Sequence, residues 1–175
     1  MMPDGVLVTP LEAHEDDRGT FTEIFRESWK VGVRPIQWNA VHSKPGVLRG
    51  VHVHVRHRDY WTMLSGRATL GLKDLRQGSQ TRGQSETVEV YGTFPVAITI
   101  PPGVAHGFYF HTQSLHVYAV SEYWDTDDEL GCHWLDPDLA IHWPTTHAMT
   151  SARDSAAGTL QELLEKLSPY QPMLF

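Results

Sequence analysis

Val51-His-Val-His-Val-Arg56 alternates an aliphatic with a basic side chain at every step. Successive side chains of a strand leave opposite faces, so Val51, Val53 and Val55 share one face and His52, His54 and Arg56 the other. One face suits a core, and the other sets two imidazoles side by side. Outward from here the apolar pattern stays short, alternating and punctuated. Further strands are predicted over 61–64, 68–72, 87–90, 96–100, 107–110 and 116–123, parted by Ser-Gly, Gln-Gly-Ser, Tyr-Gly and Pro-Pro-Gly breaks. Seven or more short strands at this spacing predict an all-β antiparallel sandwich or jelly-roll barrel. After Trp143-Pro144 the pattern changes: Ser151 or Asp154 opens a predicted helix through 158–166, with Leu160, Leu163, Leu164 and Leu167 on one side. The last residues, 168–175, are apolar with two prolines and are expected to fray or to pack on a partner subunit.

A chain of 175 residues fits one domain, here divided into an N-terminal arm (1–29), a barrel core (about 30–145) and a C-terminal helical tail (146–175). Hydrophobic residues make up 41%, enough for a core, and a formal charge of -7 argues against duplex nucleic acid and anionic membranes as partners. No apolar run approaches the length of a membrane span, and the first residues lack the pattern of a secretory signal, so a cytoplasmic location is expected. Cys132 is the single cysteine, which excludes an internal disulfide and a multi-cysteine zinc site. The chemistry is expected among the 11 histidines, since imidazole moves protons and binds metals near neutral pH.

Gly50, His52, His54, Asp59 and Gly66, followed by Pro101-Pro-Gly-Val-Ala-His106, have spacings similar to the two motifs of the cupin superfamily, with Asp59 where the superfamily has Glu. The resemblance implies an antiparallel jelly roll whose mouth gathers these side chains. Three imidazoles and a carboxylate, His52, His54, Asp59 and His106, suit one divalent transition metal. The competing reading makes His54 and Asp59 polar residues of a barrel rim.

A longer resemblance runs from about residue 17 to 157. Asp17-Arg-Gly-Thr-Phe-Thr-Glu23, Gln37-Trp-Asn39, Val47-Leu-Arg-Gly-Val-His52, Ile100-Pro-Pro-Gly-Val-Ala-His-Gly-Phe108, Val117-Tyr118, Trp134-Leu-Asp-Pro137 and Ile141-His-Trp-Pro144 are together similar to the dTDP-4-dehydrorhamnose 3,5-epimerase family. The resemblance implies an isomerase that abstracts a proton beside the C4 ketone of a nucleotide-linked 4-keto-6-deoxy sugar, most commonly in rhamnose biosynthesis. It assigns the base to His52, its carboxylate partner to Asp154 in Ser151-Ala-Arg-Asp, and the opposing acid to Tyr118. Substrate contacts fall on Arg18, Phe21, Glu23, Gln37, Asn39, Arg49, His54, His106, Tyr123, Trp124 and Glu129. Some have a plainer reading: Tyr118 as a barrel residue, Asp154 as a helix N-cap, and Phe21, Tyr123 and Trp124 as core or interface aromatics. No cofactor is implied, the alternative being the metal set above. A homodimer is implied, in which an N-terminal strand carries Arg18 and Phe21 to the neighbouring barrel.

Two positions depart from the family pattern. Asp59 stands on a family lysine and His54 on a family glutamine. The departures leave open an epimerase with a different electrophile, a sugar 3,4-ketoisomerase or C3-only epimerase, and a metal-bound or non-catalytic sugar-binding cupin.

Overall fold

The computed structural model describes residues 1–125 and 128–174. Among the described residues twelve strands form: β1 (Leu7–Pro10), β2 (Ala13–Asp16), β3 (Gly19–Thr22), β4 (Gln37–Ser43), β5 (Leu48–His54), β6 (Asp59–Ser65), β7 (Arg67–Asp74), β8 (Ser85–Tyr91), β9 (Val96–Ile100), β10 (Val104–Phe110), β11 (Ser114–Val120) and β12 (Glu129–Gly131). One five-stranded sheet runs β1-β9-β6-β11-β4, another runs β12-β5-β10-β7-β8, and β2 with β3 forms a separate hairpin. Every paired strand is antiparallel, as the short alternating runs predict. The two sheets face each other over Trp61, Leu70, Ile98, Phe108 and Phe110, the core at one end of the barrel.

The alternation in β5 has the consequence its sequence predicts. Val51 and Val53 lie in a second cluster with Trp134, Leu160, Leu163, Leu167 and Leu174, on the outer face of the sheet. The histidine face therefore looks into the barrel. Close approach of β5 to β10 depends on Gly50, whose φ is 119° and whose added Cβ would meet Gly107 Cα at 2.7 Å.

The C-terminal region departs from expectation in three ways. The predicted helix is two pieces: a single turn α1 (Ala152–Ser155) capped by Ser151, and α2 (Leu160–Leu167) opened by a Thr159–Glu162 capping box. Asp154 is thus not the cap; its own N–H donates to Ser151 Oγ at 3.0 Å. Leu164 is 42% exposed and leaves the apolar stripe, which Leu160, Leu163 and Leu167 form alone. The final segment does not fray over 168–174, the part of it within the described residues. It turns as a 3-10 helix (Ser168–Met173), buries Leu174 and locks Gln171 to Leu75 O and Gln77 N at 3.0 and 2.8 Å. An uncovered valine face on β5 is the physical reason. The strand predicted over 116–123 ends at Val120, and β4, framed by Pro35 and by Pro45-Gly46, is an added strand beside β11.

Candidate active site

A cavity of about 660 Å³ opens between the sheets. From one sheet β5 and β10 supply His52, His54, His106 and Phe108; from the other β6 and β11 supply Asp59, Trp61, His116 and Tyr118. Arg49, Trp124, Glu129 and residues 149–151, 153 and 154 complete the wall. His52 and Tyr118 thus stand on opposite sheets and line one space. The register explains the placement: His52 opposes His106 across β5–β10, while Tyr118 opposes Trp61 and Asn39 in the other sheet.

His52 is held by residues far away in the chain. Its Nε2 lies 2.7 Å from Asp154 Oδ1, and its Nδ1 lies 3.2 Å from Glu129 Oε1. A carboxylate on Nε2 selects the tautomer and orients the ring. Arg153 closes over the pair from the exposed side, with NH2 2.9 Å from His52 Nε2 and in contact with Glu129. Trp124 Nε1 donates to Glu129 Oε2 at 2.6 Å. Burial works against ionisation of Asp154, but His52, Ser151 and the Gly50 N–H hold it below the usual carboxylate range. Burial likewise opposes charge on Glu129, and His52, Trp124 and Arg153 again win and lower it. Burial and the negative charges of Asp59 and Glu129 raise the Tyr118 phenol, so it keeps its proton at neutral pH.

Deeper in the cavity a second group gathers around Asp59. His54 Nε2, His57 Nε2 and His106 Nε2 lie 3.3, 3.6 and 3.4 Å from its oxygens. Burial lowers His54 to about 4 against the attraction of Asp59, and burial also lowers His106, so both rings are neutral at pH 7. Burial raises Asp59, but the surrounding imidazoles, His54 foremost, bring it to about 2. His57 resists burial because Asp128 and Asp59 flank it, and it rises to about 9. Behind the Tyr118 side, burial and the nearby Arg49 push His116 down to about 3.

The structure brings His52, His54, Asp59, His106, Tyr118, Arg49, Trp124, Glu129 and Asp154 to this cavity. It does not bring the others to its wall. Arg18 and Phe21 sit exposed on the β2–β3 hairpin, where Arg18 NH2 pairs with Asp16 at 2.5 Å, and Glu23 pairs with Arg26 at 2.5 Å. Gln37 and Asn39 bond each other at 3.1 Å on β4, and Gln37 also accepts from Trp124 N at 3.0 Å. Tyr123 is 74% exposed. The four-residue metal set needs correction: His52 is committed to Asp154 and Glu129, and His57 takes its place beside Asp59. Sequence reasoning missed His57, Asp128 and Arg153. His57 lies in the turn after β5, where alternation no longer assigns a face; Arg153 was visible in the Ser151-Ala-Arg-Asp word.

The family described as dTDP-4-dehydrorhamnose 3,5-epimerase matches residues 2–162. The spore coat polysaccharide biosynthesis protein SpsL of Bacillus subtilis is 33% identical over 155 residues, covering 82% of this chain and 98% of that protein. Among solved structures, dTDP-6-deoxy-D-glucose-3,5-epimerase RmlC from Legionella pneumophila, in complex with dTDP-4-keto-L-rhamnose, superposes with a TM-score of 0.87 at 31% identity, covering 95% of this chain and 94% of that one. ChmJ, a 3'-monoepimerase from Streptomyces bikiniensis in complex with dTDP-quinovose, gives a TM-score of 0.86 at 29% identity, covering 96% and 89%. With a matching family over nearly its whole length, a shared jelly roll, and His52 and Tyr118 lining one cavity from opposite sheets, the chain belongs to the dTDP-4-dehydrorhamnose 3,5-epimerase family.

Proposed function

We propose that the protein epimerises a nucleoside-diphosphate 4-keto-6-deoxyhexose, with a dTDP sugar as the first substrate to test. The observation that carries this reading is the placement of His52 and Tyr118 on opposite sheets around one cavity. Inversion beside a ketone needs a base on one ring face and an acid on the other. His52, oriented by Asp154, takes the proton; the resulting enolate is protonated from the other side by Tyr118, whose raised pKa keeps the phenol loaded. Arg49 and Arg153 give the mouth of an acidic protein the positive charge that a diphosphate requires. Asp59 works the other way: a bare carboxylate about 4 Å from an enolate oxygen would oppose it by roughly 4 kcal/mol at an effective dielectric of 20.

Homodimerisation belongs to the same proposal. The exposed β2–β3 hairpin, with Phe21 63% exposed, suits a role at a neighbouring subunit's cavity. Cytoplasmic location is part of it as well; among the described residues no helix is long and apolar enough to cross a membrane.

Incubation with the dTDP-4-keto-6-deoxy sugar in heavy water tests the reaction. Deuterium at C3 and C5 is the expected result. Incorporation at C3 alone establishes the second reading, a monoepimerase, which the similarity to ChmJ favours. His52→Asn should lower exchange by about 10³-fold while dTDP binding is retained, because general base catalysis contributes about 10²–10⁴-fold. Full exchange in that variant would remove the mechanism.

A further inference from the structure

We propose that His54, His57, His106 and Asp59 form a site for one divalent transition metal ion on the inner wall of the cavity, separate from the His52–Asp154 pair. Three independent features of the side chains lead there.

The first is unmet polar demand. His54, His57 and Asp59 are 8, 1 and 6% exposed, yet His57 Nε2 and Asp59 Oδ2, which face this cluster, have no hydrogen-bond partner, and neither have His57 Nδ1 and, on the far side of its ring, His54 Nδ1. Buried polar atoms are almost always satisfied, and several orphans in one cluster point to an absent species that meets them. The second is spacing. Nitrogen and oxygen ligands at about 2.0–2.1 Å from a tetrahedral cation lie about 3.3–3.4 Å from each other. His54 Nε2 and His106 Nε2 stand 3.3 and 3.4 Å from Asp59 Oδ2, His57 Nε2 stands 3.6 Å from Oδ1, and one donor atom each from His54, His57 and Asp59 fall within 4.8 Å of one another.

The third is the outer contacts. His57 Nδ1 lies 2.6 Å from Asp128 Oδ2, and His106 Nδ1 lies 3.1 Å from the Val104 carbonyl. Both contacts leave the Nε2 of each ring directed at Asp59. Where such a nitrogen carries no proton its lone pair repels the carboxylate, and a cation between them makes the contact attractive. Carboxylates or carbonyls behind ligating histidines are the usual support of a metal centre. Asp128 in turn is fixed by the backbone N–H groups of Val55 and Arg56, at 3.0 and 2.8 Å.

Three imidazoles and one carboxylate suit zinc, iron(II), manganese or cobalt. When bound, the ion supplies a positive charge where Asp59 alone would disfavour an enolate. That consequence rests on the epimerase reading; the site itself does not. The rival occupant is a proton, with His57 held as an imidazolium between Asp128 and Asp59.

The test uses the full chain without an affinity tag, stripped by chelator and titrated with Zn²⁺ by calorimetry and with Co²⁺ by visible spectroscopy. One equivalent per chain and the intense d–d bands of a four-coordinate Co²⁺ site are expected. Asp59→Asn and His57→Gln should each abolish both signals, while the exposed His147→Gln leaves them intact. Asp128→Asn, a positioning change, should weaken Zn²⁺ binding by about 10–100-fold. Thermal melting of each variant separates lost binding from lost folding. A folded wild-type protein that binds no stoichiometric Zn²⁺, or Co²⁺ bands that survive Asp59→Asn, would overturn the site in favour of the proton. Isotope exchange is measured separately on the stripped and loaded protein. Metal binding without exchange sinks the epimerase reading alone, and exchange without metal binding sinks the site alone.

Discussion

Asp74 and Asp59 are both buried carboxylates at the boundary of a strand, Asp74 closing β7 and Asp59 opening β6. Around Asp74 every donor is at hydrogen-bond length: Arg76 Nε at 2.9 Å, Arg76 NH2 at 2.7 Å, and the Ser79 and Thr81 hydroxyls at 2.6 Å each. Around Asp59 three imidazole nitrogens stop at 3.3–3.6 Å, and Oδ2 has no hydrogen bond. Asp74 closes a loop and ties the N-terminus to it, since Arg76 also donates to Asp4 O at 2.5 Å. Asp59 faces the cavity. The difference teaches how to tell a carboxylate that holds a fold from one left open toward a cavity: the former is saturated by donors from its own neighbourhood, the latter is ringed by longer contacts to imidazoles. Asp154 stands between them, with one short contact to His52 and a cavity in front.

Breaking the saturated member should have the largest effect. Arg76→Met leaves Asp74 charged and unpaired in the interior, and equilibrium denaturation should show a loss of about 3–5 kcal/mol. The same pair carries a pH signature. Burial raises Asp74, but Arg76, Ser79 and Thr81 hold it below the usual carboxylate range. A depressed native pKa gives stability that is present above the unfolded value, near pH 4, and lost as pH falls through the native one. Melting curves of the wild type should therefore drop in acid, and Asp74→Asn, though less stable at pH 7, should drop less.

The intermediate member is probed by Asp154→Asn. An amide cannot select the Nε2–H tautomer of His52 as a carboxylate does, so kcat should fall by about 10²-fold, close to 2.7 kcal/mol, with KM little changed. If Asp154 served only the α1 turn, the variant would melt earlier and keep its kcat. The smallest effect on folding is expected at Asp59. Its imidazole contacts are longer than the bonds around Asp74, and a carboxylate lowered from 3.8 to about 2 contributes about 2 kcal/mol at neutral pH, so Asp59→Asn should cost about that much, less than Arg76→Met. A loss as large as that of Arg76→Met would erase the contrast between the two carboxylates.

Most of the barrel was legible because its signals are local. Period-two alternation in Val51–Arg56 and the breaks at Gly66 and Gly103 act within a few residues and need no partner. His52 and Tyr118 could be named from their words, and the contact of His52 with Asp154, 102 residues away, only from a family pattern. His57 escaped notice because the turn after β5 lies outside any period, and nothing local says that it folds back over Asp59.

The sequence by itself determined that β5 would have one apolar and one imidazole face, since that follows from backbone geometry. It determined as well that short antiparallel strands would follow, since turn residues interrupt the chain too often for long helices. Only the tertiary structure decided what each face meets. The valines are covered by α2 and the chain's own C-terminal turn, while His52 meets Asp154 and Glu129 and His54 shares Asp59 with His57 from the turn between β5 and β6. Burial and charge pairing depend on groups brought together by sheet closure, and no local pattern encodes which carboxylate will be saturated and which will be left open.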